Sequence, residues 1–152
     1  MTKLEEMLQQ MEDKQVVVLE DRRLPRSVKG LYLWDEKQPL IILQPDMDGR
    51  EKLCVLAEEI GHFETATMDM RYCSRYQIAF QERLAMERAI QWLVPFRGLE
   101  KAVRAHIWTP WDCAEYFGIT EEMMGQAMDY YQHTAPQELA RLKRFAYRHS
   151  IP

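Results

Sequence analysis

Apolar residues recur at helical spacing in residues 2–12, where Leu4, Met7, Leu8 and Met11 fall on one face, and this spacing predicts a first helix. Thr2 precedes it and Glu5 follows three residues later, the pairing of a capping box. Three short runs rich in β-branched and aromatic residues come next, at 16–19, 29–34 and 39–43. Residues 22–26, with Pro25, and the polar stretch 35–38 separate them, so they read as strands of a small antiparallel sheet. Asp48 stands at the head of a long periodic stretch and predicts a helix from 48 to about 66. A second helix is expected from about Ser74 or Gln77 to a stop at Pro95, and from Gly98 onward every segment reads as helical. The expected fold class is α+β: an N-terminal helix and small antiparallel sheet packed on a long helix, followed by an all-helical C-terminal half.

Composition narrows the class. A chain of 152 residues that is 47% hydrophobic and 29% charged matches one globular unit with a sizeable core. We therefore expect a single domain, with 1–95 as its core and 96–152 as a helical extension. The start of the chain is charged and amphipathic, and no run reaches the roughly 20 apolar residues of a membrane helix. A cytoplasmic location without membrane contact is the expectation. Cys54, Cys73 and Cys113 are odd in number and show no paired spacing, which points to free thiols rather than disulfides or a cysteine zinc site. A net charge of −4 argues against nucleic acid as a direct partner.

The chemistry concentrates in Val55-Leu56-Ala57-Glu58-Glu59-Ile60-Gly61-His62-Phe63. Residues four apart stack on one helix face, so Glu58 and His62 occupy the two ligand positions of a His-Glu-x-x-His zinc helix, with glutamate in place of the first histidine. Glu59 occupies the position of the general base. The plainer alternative makes Glu58 and Glu59 solvated helix residues and His62 a histidine near the core.

This stretch, with Cys54 before it, resembles the metallopeptidase domain of the ImmA/IrrE family, whose usual form is Leu-Ala-His-Glu-Leu-Gly-His-Tyr. Family members carried by phages and mobile elements include Glu-Glu-x-x-His variants. A second family element, Glu-x-x-Ala-x-x-aromatic-Ala before a hydrophobic-Pro stop, is matched by residues 82–95, except that Arg88 stands where an aromatic residue is usual. The resemblance implies a zincin-like motif helix, with Glu58, His62 and Glu82 as metal ligands and Glu59 as the catalytic base. Three such ligands leave a fourth position open for water. It implies zinc, with manganese as the alternative ion: exchanging histidine for glutamate lowers the charge of the loaded site from about +1 to about zero. It further implies an anti-repressor role, in which an intracellular endopeptidase cuts a helix-turn-helix (XRE-type) repressor encoded beside it. The alternative is a catalytically inactive relative, with no ion bound, that binds such a regulator stoichiometrically.

Other features carry less. His106, His133 and His149 read as surface or cap residues. Arg71, Tyr72, Arg75 and Tyr76 read as a packed connecting loop, or as a loop reaching over the site with a tyrosine to donate to an oxyanion. Residues 110–131 have a helix-turn-helix cadence, but Glu121, Glu122 and Asp129 meet no Lys or Arg between Thr120 and Tyr131, which is poor chemistry for reading DNA. Met123, Met124, Met128, Tyr130 and Tyr131 read as core, and residues 137–148 as an amphipathic helix with a basic face.

Overall fold

A computed structural model describes residues 1–34, 37–67 and 69–150. The chain forms two compact units, Met1–Ala89 and Ile90–Pro152. The α+β class holds.

In the first unit, α1 (Lys3–Asp13) starts with the reciprocal capping box of Thr2 and Glu5 and buries Met7 and Met11. Strands β1 (Val17–Glu20), β2 (Gly30–Leu33) and β3 (Leu40–Leu43) follow in the spatial order β1-β3-β2. The sheet is mixed rather than antiparallel: β2 pairs antiparallel with β3, but β1 runs parallel to it. The reason lies in which strand takes the centre. Leu40-Ile41-Ile42-Leu43 is the most uniformly apolar run, and it buries Ile41 and Leu43 completely. It takes the centre, between β1 and β2, where both of its edges are paired. The expected turn residues Asp35 and Glu36 lie outside the described residues.

Helix α2 (Gly49–Thr65) is capped by Asp48, whose carboxylate accepts from the Glu51 amide at 2.8 Å. It buries Leu53, Leu56, Ala57 and Ile60 and packs against α1, β2 and β3. A short 3-10 turn, Met70–Tyr72, leads to α3 (Arg75–Leu93), where Ser74 and Gln77 exchange backbone-to-side-chain hydrogen bonds at 2.8 and 3.2 Å. Arg88 pairs with Glu64 of α2, which also meets Lys14 at 3.4 Å. The arginine that departs from the family pattern thus ties α3 to α2 through charge instead of ring packing.

The second unit holds the end of α3 followed by α4 (Phe96–Arg104), α5 (Pro110–Phe117), α6 (Glu121–Thr134) and α7 (Pro136–Ser150). Thr109 and Thr120 cap α5 and α6, and Gly118 closes α5 in the left-handed region at φ 69°, a conformation that costs a side-chain-bearing residue energy. Of the residues expected in the core, Met123, Met124 and Tyr131 are buried and Met128 and Tyr130 half-buried, and Ala127 is buried with them. The Tyr131 hydroxyl donates to the Val94 carbonyl at 2.6 Å, and its ring meets Phe96 edge-on at 5.2 Å. No helix among the described residues is long and apolar enough to cross a membrane.

Candidate metal centre

Helix α2 carries Glu58, Glu59 and His62 within five consecutive residues, and α3 carries Glu82. What joins them is the closeness of the two helices at Gly61, where a β-carbon would lie 2.3 Å from the Ala85 carbonyl oxygen. Glycine inside a helix costs about 1 kcal/mol relative to alanine, and here it lets backbone touch backbone. His62 Nε2 and Glu82 Oε2 then stand 3.1 Å apart.

The strand side is built in the same way. A β-carbon on Gly30 would lie 2.6 Å from Val55 and 2.9 Å from Cγ of Glu59, so β2 lies directly on α2. The Lys29 carbonyl accepts from the Gln44 amide at 2.8 Å, so in the antiparallel alternation Gly30 and Tyr32 turn their backbone groups away from β3. The Tyr32 backbone hydrogen-bonds Glu59. Tyr32 is also anchored by its ring, which meets Phe63 edge-on at 6.0 Å.

Burial pushes the Glu59 carboxyl up to about 7, with the Glu58 and Glu82 carboxylates adding to the rise, against the opposing pull of His62 and the Tyr32 hydrogen bond. Burial works against the charged form of His62, yet the Glu82 hydrogen bond and the Glu82, Glu59 and Glu58 carboxylates hold its pKa above the ordinary value. The His62 hydrogen bond lowers Glu82 in return. A buried histidine that shares a hydrogen bond with one carboxylate, beside a second carboxyl raised to about 7, is an arrangement suited to exchanging a proton near neutrality.

The donor set can be tested against a metal. Two ligands about 2.0–2.1 Å from a tetrahedral ion lie about 3.3 Å apart, close to the 3.1 Å between His62 Nε2 and Glu82 Oε2. His62 Nδ1 is buried without a hydrogen-bond partner among the described residues, whereas a ligating imidazole usually donates its second N–H. Among the described residues no three His, Cys, Asp or Glu side chains are grouped to hold an ion. The histidine and Glu82 therefore fit as a two-donor edge. Glu58, one helical turn from His62, contributes its charge to that edge.

Other expected residues fall elsewhere. His106, His133 and His149 are exposed; the last two hydrogen-bond the Asp129 and Phe145 carbonyls at 2.7 and 2.8 Å. Tyr72 and Tyr76 are exposed rather than packed. Cys54 and Cys113 are buried, Cys73 is half-buried, and none of the three is in a disulfide. Spacing did not point to Gly30 or to the Tyr32 backbone, because their partner Glu59 lies far along the chain. Gly61 did carry a signal, since a glycine in mid-helix asks for a packing reason.

A helix bearing Glu-Glu-x-x-His thus has a strand against Glu59 and a glutamate-bearing helix against His62. The profile of the peptidase M78 family, described as the IrrE N-terminal-like domain, matches residues 11–129, and the chain belongs to that family. Among solved structures it is similar to a Mycobacterium tuberculosis transcriptional regulator, at 16% identity and a TM-score of 0.59. The match covers 81% of this chain and 40% of that one, so the chain spans well under half of that protein. No curated protein matches.

Proposed function

We propose that this chain is a metal-dependent endopeptidase acting inside the cell on a helix-turn-helix repressor, in the setting of a phage or mobile element. The observation that carries the reading is the His62–Glu82 pair at 3.1 Å with Glu59 beside it, its carboxyl raised to about 7. His62 and Glu82 would hold zinc, or manganese, and Glu58, one helical turn from His62, would complete the set as third ligand by turning its carboxylate toward them. When bound, such an ion supplies Lewis-acid polarisation of a peptide carbonyl and acidifies water. Glu59 is suited to the remaining work: a carboxyl that titrates near neutrality accepts a proton from water and returns it to a leaving amine without a large penalty in either direction. The Tyr32 backbone holds that carboxylate against β2, so the proton stays at one place. Membership in the M78 family supports the reaction class.

Glu58 in place of histidine, and the two-donor edge, favour one other reading: a relative that keeps the fold and binds the regulator without cutting it. The experiment compares wild type, Glu59→Gln and Glu58→His for cleavage of the co-expressed regulator encoded beside this chain. Glu59→Gln is expected to reduce cleavage about 10²–10⁴-fold while leaving regulator binding intact, and Glu58→His to increase it. If all three leave the regulator whole yet retain it equally in a pull-down, the endopeptidase reading is lost and the binder stands.

A further inference from the structure

Residues 70–81 hold two arginines and no acidic residue, in a chain of net charge −4. The same segment exposes large rings: Tyr72 is 84% exposed, Tyr76 85% and Phe80 44%. Arg71 lies over the Tyr72 ring at 5.7 Å from its centroid, and Arg83 over the Phe80 ring at 5.3 Å, contacts that hold cation and ring in one layer. Asp69 already forks Arg71, and Glu87 stands loosely by Arg83 at 3.9 Å. Arg75, exposed at the start of α3, has no acidic partner among the described residues.

Helical spacing connects this face to the metal centre. Tyr76, Phe80 and Arg83 follow the i, i+4, i+7 stripe on the solvent side of α3, while Arg75 and Glu82, seven residues apart, share a flank of the same helix. That separation is about 10 Å along the axis, the length of about three residues of extended chain.

We propose that the arginine and tyrosine face of residues 71–83 is a docking surface for an acidic, extended segment of the protein substrate, held alongside the metal centre. The proposal rests on the endopeptidase reading and names its substrate chemistry. Charge complementarity selects the occupant: Arg75 takes a side-chain carboxylate, and the exposed rings cover apolar neighbours, the Tyr and Arg pairing that interfaces favour. The Glu58, Glu59 and Glu82 carboxylates at the end of the flank, together with the net charge of the chain, oppose a continuous polyphosphate. A peptide avoids that conflict because its main chain between acidic side chains is uncharged.

The test uses the full chain carrying Glu59→Gln, so that nothing is cut, and fluorescence anisotropy of a fluorescein-labelled extended peptide alternating Asp or Glu with Leu or Phe. The acidic peptide is expected to bind, and a version with Asn and Gln in place of the acids to bind at least about tenfold more weakly. Arg75→Glu, and Tyr72→Ala with Tyr76→Ala, are each expected to weaken the acidic peptide at least about tenfold with an unchanged far-ultraviolet circular dichroism spectrum. Equal binding of both peptides, indifference to Arg75→Glu, no binding, or tighter binding of oligo-dT overturns the proposal. So does self-association that the same substitutions abolish, since the face would then serve a second copy. The two readings fail separately. Peptide binding without cleavage by wild type removes the endopeptidase alone, whereas regulator cleavage with a KM unmoved by Arg75→Glu removes the docking surface alone.

Discussion

Helices α2 and α6 both begin at an oxygen-bearing cap, both carry a glycine and both bury an apolar face, yet only α2 adds ionisable groups to what it buries. Helix α2 buries His62 with Glu58 and Glu59 half-buried beside it, and its Gly61 lies against the Ala85 carbonyl. Helix α6 buries Met123, Met124, Ala127 and Tyr131, and a β-carbon at its Gly125 would meet nothing within 4 Å. The difference teaches that at its contact with α3 the helix α2 gives up local stability to bring charged groups together, whereas α6 spends its burial on apolar packing alone. Glycine marks the contrast: in α2 it is a contact, in α6 only a weak helix former.

The largest expected effect breaks that contrast from the α2 side. Gly61→Ala places a methyl against a backbone oxygen that cannot rotate away, and it should cost about 3 kcal/mol or more, the upper end of overpacking. Chemical denaturation measures the loss. Zinc affinity should fall with it, because α2 and α3 must separate and His62 leaves Glu82.

The pH dependence of the chelator-treated protein comes next. The Glu59 carboxyl is raised from 4.5 to about 7, so between those values the folded state holds a proton that the unfolded state has released. Its contribution is complete below pH 4.5 and is lost as pH rises through 7, about 3 kcal/mol at ~1.4 kcal/mol per unit. His62, also raised, adds loss in the same direction above pH 6.5. Glu82 is lowered, so its contribution is present above pH 4.5 and disappears only on further acidification. Thermal melts from pH 5 to 8 should therefore show falling stability, and Glu59→Gln should flatten most of that slope. A slope unchanged by Glu59→Gln would contradict the burial of its charge. Ion binding should run the opposite way and strengthen across the same range, since His62 must be neutral to ligate.

Two smaller tests address the second unit. Tyr131→Phe leaves the buried Val94 carbonyl without its 2.6 Å donor and should cost about 1–3 kcal/mol, with no change in ion affinity. Gly125→Ala should stabilise by about 0.5–1 kcal/mol, the reverse sign of the same substitution in α2. If Gly125→Ala instead destabilises as much as Gly61→Ala, the contrast between the helices is wrong.

Several features were legible along the chain because their causes are local. The Thr2 and Glu5 box, the Asp48 cap and the stop before Pro95 each depend on residues within one turn. The i, i+4 spacing of Glu58 and His62 is equally local and put both on one face of α2. The direction of β1 was not legible, since a four-residue apolar run pairs equally well in either sense. Arg88 could be seen as a departure from the family pattern, but its pairing with Glu64 could not be seen from its neighbours.

Residue order alone therefore set the helices, their caps and the identity of the acid–base groups on α2, because backbone hydrogen bonding and side-chain periodicity act within a few positions. It was long-range packing that made Leu40–Leu43 the central strand, laid β2 on Glu59 and pressed Gly61 against Ala85. The same packing raised the Glu59 carboxyl and gave His62 its partner on α3. Desolvation and charge coupling depend on what lies across the fold, and no spacing within α2 encodes the distance from His62 to a carboxylate twenty residues away.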